Sequence, residues 1–431
     1  MANYNGGAGL NQQVLNNISK DIYDSVYPTF FKGQVEINNF NIKSVSWDIT
    51  QAPVFDLNPS QRALAFLKEA VKKEVHDSTL VNQLESFIDE SVITFELSVP
   101  KFEVTIETGD GDTSPPVDGS IDVYLQADID ADDKLVASII KGEVNIQGEP
   151  TLVWILNHVV LPVVQDQLNK ILLKGVPLPA LEFGGVKLST PAAALENETL
   201  LVFAALSSQG TTVPPAPGSA WPQDKFFALS DDVLIETVAA KALESTQKSG
   251  SASTKIAILK LEAKYSVGVK NPIVELNTGN KLTVGVDAFG SGSVKVKADF
   301  GFWKPSVTLG LGITASPKVN GEVSVDSANN VKVKFVSVDD FKVKLDIANV
   351  PDWLDKFISE IISFLTKPIA QLIGKLLTGI SFTVYKIPEF EIDENGIKVD
   401  ILVSDIGIST MTDSGNKKLL TVTGDVEVKK D

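Results

Sequence analysis

The sequence predicts an α+β protein built as two tandem units, each an antiparallel β-sheet with a long apolar helix. Three observations carry that prediction. Most of the 431 residues alternate apolar and polar with period two, the mark of an antiparallel sheet with one dry and one wet face. Two helix-length apolar segments, 151–174 and 352–378, interrupt that alternation. After each comes the same short pattern: proline, any residue, apolar, glutamate, apolar, a turn ending in glycine, then apolar-Lys-apolar. It reads Pro179-Ala-Leu181-Glu182-Phe183 to Gly185-Val186-Lys187-Leu188 in one copy, and Pro388-Glu-Phe390-Glu391-Ile392 to Gly396-Ile397-Lys398-Val399 in the other. The offset is 209 residues at the proline and 211 at the glycine, a domain-sized repeat rather than a solenoid period.

Taken in order, residues 10–26 predict an opening helix, with Leu10, Val14, Ile18, Ile22 and Val26 on one stripe. Val35 and Ile37, Phe40 and Ile42, then Val45, Trp47 and Ile49 read as strand pieces separated by a bulge or turn. Residues 60–90 predict one or two inserted amphipathic helices. Ala63, Leu64, Leu67, Ala70 and Val71 form one stripe, and Leu80, Leu84, Phe87 and Ile88 another. Strands follow at Ile93–Val99, Phe102–Ile106 and Ile121–Ile129. The helix at 151–174 carries Pro162, and the one at 352–378 carries Pro368; an internal proline removes a hydrogen bond and should bend each. The stretch 207–221, rich in Ser, Thr, Gly and Pro, reads as a linker or extended crossover, dividing the chain into units 1–206 and 222–431. The second unit opens with a helix over 229–243 capped by Ser230 or Asp231. Its strands are expected at 294–300, 307–313, 331–338 and 341–347.

Composition removes whole classes of chemistry. There is no cysteine, so disulfides, Cys-ligated zinc, iron–sulfur clusters and cysteine nucleophiles are out. His76 and His158 are the only histidines, a poor basis for a His-rich metal site or a Ser-His-Asp constellation. A formal charge of −17 with Arg62 as the lone arginine argues against nucleic acid and against charge-driven binding of anionic lipid. Neither long apolar segment reads as a transmembrane span. Asn157, His158, Gln165 and Asp166 interrupt the first; Asp355, Lys356, Glu360, Lys367 and Lys375 interrupt the second. No classical secretion signal precedes the first helix, so a cytoplasmic protein, or one released without such a signal, is expected. Asp128-Ile-Asp130-Ala-Asp132-Asp133 lacks the glycine and glutamate of a calcium loop and reads as a hairpin turn, as does 108–116. Gly290-Ser-Gly292 joins strands rather than opening a helix, so it is no phosphate loop. No catalytic residue, metal or cofactor is expected.

The repeated apolar helix and proline-containing strand resemble the TULIP superfamily of tubular lipid-binding proteins. The likeness is to the tandem architecture of bactericidal/permeability-increasing protein. That resemblance implies a strongly curved antiparallel β-sheet wrapped around a long α-helix in each unit. It implies a non-enzymatic protein binding lipid or another apolar small molecule in cavities between helix and sheet. The absence of cysteine and the acidic charge fit relatives encoded in bacterial toxin gene clusters better than secreted animal members. The alternative is therefore an accessory or scaffold protein with closed cores, partnered by proteins of one gene cluster. A helix apolar all round needs apolar cover all round, and a gap in that cover would accept acyl chains. The expected lining is Trp154, Leu161, Leu168 and Leu172 in the first unit and Phe357, Ile361, Phe364, Leu372 and Leu376 in the second. Val14, Ile18 and Ile22, and Val233 and Val238, would face them from the opening helices.

Overall fold

The computed structural model describes residues 2–39, 41–131, 135–147, 150–173, 181, 183–223, 225–300, 303–394 and 397–430, and every structural statement concerns these. Phe40, Asp132, Asp133, Pro179, Glu182 and Gly396 lie outside them, so much of the first proline motif and part of the aspartate run are not described.

The two halves meet in one seven-stranded antiparallel sheet. At its centre Gly6–Asn11 pairs with Phe226–Ser230, with Ala8 opposite Ala228. Thr199–Ala204 and Ala192–Glu196 extend it on one side, and Lys418–Lys430, Ile397–Thr412 and Phe390–Glu394 on the other. Each central strand runs directly into a helix. The Asn11 side chain accepts from the Val14 backbone N–H and starts helix Gln12–Val26. Asp231 accepts from the Leu234 N–H and starts Asp232–Leu243. The helices expected from 10 and 229 therefore begin later, because Leu10 and Leu229 are strand residues and the caps are extended.

The central strand Gly6–Asn11 has poor β-propensity. Packing explains its composition. Ala8 and Leu10 join the main core, whereas Gly7 and Gly9 face the other side, where Phe203 and Phe227 lie over them. A Cβ at Gly9 would stand 2.5 Å from Phe227 Cζ, and one at Gly7 2.8 Å from Phe203 Cδ1. This second face forms its own cluster of Tyr4, Leu201, Phe203, Trp221, Phe227, Leu229 and Leu419. Trp221 stacks on Phe227 at 6.2 Å between ring centroids and donates its indole N–H to Glu196 at 2.9 Å. The segment 207–221 is thus an ordered strap over the central sheet. Asn3 and Val213 exchange backbone hydrogen bonds, and the Ser414 hydroxyl donates to the Ala216 carbonyl.

The first unit curls a six-stranded antiparallel sheet. Its order is Lys32–Asn39, Ile42–Ile49, Ile93–Thr108, Val117–Ile129, Leu135–Ile146, and Val54–Asp56 pairs with the third of these. The insertion at 60–90 forms two helices, Gln61–Glu74 and Ser78–Ser91, capped by Ser60 and Asp77. Ala63 and Leu64 are buried, and Leu80 and Phe87 remain exposed. The long helix occupies 150–173 and contains two π turns, Leu156–Val160 and Asn169–Leu173. Leu161 N–H donates to Leu156 O, and Pro162 follows at the start of the next α-helical stretch, where its missing N–H costs least.

The second unit has an eight-stranded sheet ordered Gln247–Ile256, Leu259–Leu276, Lys281–Ala298, Lys318–Val325, Asn330–Val338, Ser381–Lys386. The long strand Lys281–Ala298 pairs with Lys318–Val325 over 281–285 and with Ser306–Ala315 over 288–297, and the latter pairs with Val343–Ala348. This fork, with a register shift between Lys270 and Ile273, curves the sheet around helix Ile358–Leu377. That helix keeps Pro368 inside an unbroken span. The result is two strongly curved sheets, each packed on a long helix.

Gly9→Val forces a branched side chain into the Phe227 ring and should lower stability by about 1–3 kcal/mol in urea unfolding.

Candidate functional site

One contiguous apolar core runs from the first unit through the inner face of the central sheet into the second. In the first unit Val14, Ile18, Ile22, Leu161, Leu168 and Leu172 are all buried in it. In the second, Val238, Ile361 and Leu376 are buried, and Phe357, Phe364 and Leu372 are half-buried against it. Trp154 and Val233 do not line this interior. Trp154 is 50% exposed and stacks on His158 one turn later, with ring centroids 4.8 Å apart. Val233 is 37% exposed in the first turn of its helix.

The second long helix is amphipathic rather than apolar all round. Ile361, Leu365, Ile369, Ile373 and Leu377 form the buried stripe. Ser359, Ser363, Lys367, Gln371 and Lys375 form an exposed stripe on the other side. Between them Phe357, Phe364, Pro368 and Leu372 are half-buried. By length and composition alone, 352–377 is long and apolar enough to cross a membrane. Here it closes the gap between the edge strands Gln247–Ile256 and Val343–Ala348. Leu372 sits so close to Gly250 that a Cβ there would be 2.9 Å from Leu372 Cδ2 and 2.8 Å from Tyr265 Cε2. The sequence reading missed this seam, because Gln247–Ile256 is Ser-, Thr- and Lys-rich; Gly250 was its one usable signal.

In the first unit a groove of about 470 Å³ lies between Leu135–Ile146 and the long helix, lined by Ile139, Gly142, Asn157, Leu161, Gln165 and Asn169 among others. Its lip is polar: the Asn157 side-chain oxygen accepts from Val144 N–H at 3.3 Å. Among the described residues no group of three His, Asp or Glu side chains is placed to hold a metal ion. His76 and His158 are both exposed.

The charged network at the junction of the halves is built for structure. Buried Asp231 caps its helix and accepts from Asn5 Nδ2 at 2.9 Å and Lys417 Nζ at 2.7 Å. Burial pushes its carboxyl above the usual carboxylate range, while Lys417, the Leu234 N–H and Asn5 pull the other way. Asn5 also accepts from Leu206 N–H at 2.8 Å, and the Tyr4 hydroxyl donates to Asp413. Burial, followed by the bond to Asp413, raises the Tyr4 pKa. The network ties residues 4–5 to 231 and 413–417 across the central sheet.

Asp231→Ala removes a helix cap and leaves the Lys417 ammonium, one-third exposed, without its carboxylate. It should cost about 2–4 kcal/mol, and Asp231→Asn, which keeps the cap, clearly less, as measured by chemical denaturation.

No protein-family model matches the chain, and no curated protein matches it. Among solved structures it is similar to a lipopolysaccharide binding protein, at 10% identity and TM-score 0.31, covering 99% of both chains. It is also similar to P47 of Clostridium botulinum E1, at 9% identity and TM-score 0.43, covering 99% of this chain and 100% of that one. P47 from Clostridium botulinum A2 matches at 10% identity and TM-score 0.41, covering 98% of this chain and 97% of that one. The architecture described above is α+β, with two strongly curved antiparallel sheets each packed on a long helix, as the sequence predicts.

Proposed function

We propose that the chain is a non-catalytic binder of an apolar ligand of the acyl-chain class, held along the flank of helix Ile358–Leu377 in the second unit. One observation carries this reading. A helix apolar enough to span a membrane buries a single stripe and leaves Phe364 and Leu372 only half-covered, Leu372 against Gly250 of the edge strand Gln247–Ile256. Apolar surface left partly in water gains about 0.8 kcal/mol for each methylene laid on it, without any charged anchor. The ligand lies on the outer side of that flank, over the half-covered faces of Phe364 and Leu372, because the seam with Gly250 beneath Leu372 is closed.

A second reading, a scaffold with closed cores serving partner proteins, is favoured for the first unit. There Ile18, Leu168 and Leu172 are fully enclosed.

Purified protein mixed with a fluorescent fatty acid should show saturable uptake, and native mass spectrometry should show co-purifying lipid. The double variant Phe364→Ser, Leu372→Ser should weaken uptake about tenfold. Wild-type protein that takes up no fatty acid and carries no lipid contradicts the proposal and leaves the scaffold reading.

A further inference from the structure

One face of the second unit does not follow the acidic character of the chain. On the sheet formed by Gln247–Ile256, Leu259–Leu276 and Lys281–Ala298, the inward positions Leu259, Leu261, Val296 and Ala298 are buried. The outward positions carry lysine. Lys255 stands directly opposite Lys260, and Lys260 directly opposite Lys297, so three ammonium groups share one cross-strand row. Lys295 lies in the next outward row, directly opposite Glu262, and Lys264 one row beyond; Glu262 reaches Lys260 at 3.1 Å and Lys297 at 3.7 Å. Like charges directly opposite one another in a sheet are destabilising. No ion pair of Lys255 is found among the described residues. Glu262 offsets part of this charge, and an external anion is the natural partner for what is left, above all at Lys255.

Apolar side chains crown the same end. Ile258, at the turn between the first two strands, is 37% exposed, and Trp303 is 48% exposed. The backbone joins them: Asp299 N–H donates to the Ile258 carbonyl and Phe300 N–H to the Trp303 carbonyl. Trp303 stacks on Phe300 at 5.4 Å and meets Trp353 edge-on at 6.0 Å, so a rigid aromatic base supports the exposed ring. A groove of about 390 Å³ lies between this crown and the lysine row, bordered by Lys255, Ile258, Lys260, Lys297 and the ion pair of Lys304 with Asp299. Exposed tryptophan, aliphatic tip and flanking lysines together match the chemistry of a membrane interface. There an indole sits at headgroup level and lysine stems reach toward phosphates.

We propose that this end of the second unit docks on a bilayer bearing anionic headgroups. Ile258 and Trp303 enter the interface, and Lys255, Lys260 and Lys297 rest on headgroup phosphates. The formal charge of −17 does not oppose this. At physiological ionic strength charges beyond about 8 Å are screened, so the bilayer meets the local lysine face rather than the whole molecule. The docking surface is separate from the helix flank assigned to the internal ligand and stands without it.

Flotation of the full chain with vesicles of phosphatidylcholine containing one-third phosphatidylglycerol tests this. Wild-type protein should float with these vesicles and far less with pure phosphatidylcholine. The triple variant Lys255→Gln, Lys260→Gln, Lys297→Gln should bind about a hundredfold more weakly, near fivefold per lysine. Ile258→Ser with Trp303→Ser should lose about tenfold or more. Trp154→Ser, an exposed tryptophan of the first unit, should bind as wild type. The lysine variant should keep the wild-type melting temperature and fatty-acid uptake, because its altered side chains face outward. Ile258→Ser with Trp303→Ser gives up the Trp303 contacts with Phe300 and Trp353, and Trp154→Ser the stack on His158, so both should melt somewhat lower while still taking up fatty acid. The proposal is overturned if wild-type protein stays with the unbound fraction, if it prefers neither vesicle, or if the lysine and Ile258/Trp303 variants float like wild type.

Discussion

The antiparallel pairing of Gly6–Asn11 with Phe226–Ser230 is the constraint on which the structure depends. Among the described residues it is the one strand-to-strand pairing between the two halves, and each partner delivers its chain directly into a capped helix. Small residues make it possible. Gly7 and Gly9 let Phe203 and Phe227 close over the strand, while Ala8 and Leu10 fill the opposite face. The polar lock of Asn5, Asp231 and Lys417 then fixes the register at one end. Because the inner face of this sheet belongs to the same core as both curved units, the pairing couples the two interiors into one body of apolar contacts.

That construction explains what the sequence reveals and what it hides. The strands Ile93–Thr108 and Val117–Ile129 announce themselves because each has one buried and one wet face. The two long helices are equally plain. The central strand is not, since glycine argues against a strand until the phenylalanines that need its missing side chains are placed, nearly 200 and 220 residues further along the chain. The strap at 207–221 shows the same limit. Its Pro, Ser and Gly content predicts an extended path, and its order comes from Trp221, whose two aromatic neighbours lie on other strands. Gln247–Ile256 is an edge strand whose inward positions include Gly250 and Ala252, too small to give a hydrophobic period.

The candidate site was legible in part. The spacing of apolar residues identifies the helix faces that meet the sheets, and it places Ile18, Leu168, Leu172 and Ile361 inside. Period alone does not separate enclosed positions from half-covered ones, because both are apolar. The difference between Ile361 and Phe364 is set by how far the curved sheet reaches around the helix, and so by the fork in Lys281–Ala298. Trp154 shows the reverse: a large apolar residue on an apolar segment that ends outside, against His158. The lysine row is hidden for a related reason. Lys255, Lys260 and Lys297 are ordinary wet-face residues in sequence, and only the strand register makes them neighbours.

The account rests most heavily on an apolar ligand lying along the half-covered flank of helix Ile358–Leu377. Photocrosslinking with a diazirine-bearing fatty acid, followed by peptide mapping, tests it most directly. The label should fall on peptides carrying Phe364, Leu372 or the strand around Gly250, and excess unlabelled fatty acid should compete it away. Label confined to the first unit, or spread without competition over the surface, would contradict the account.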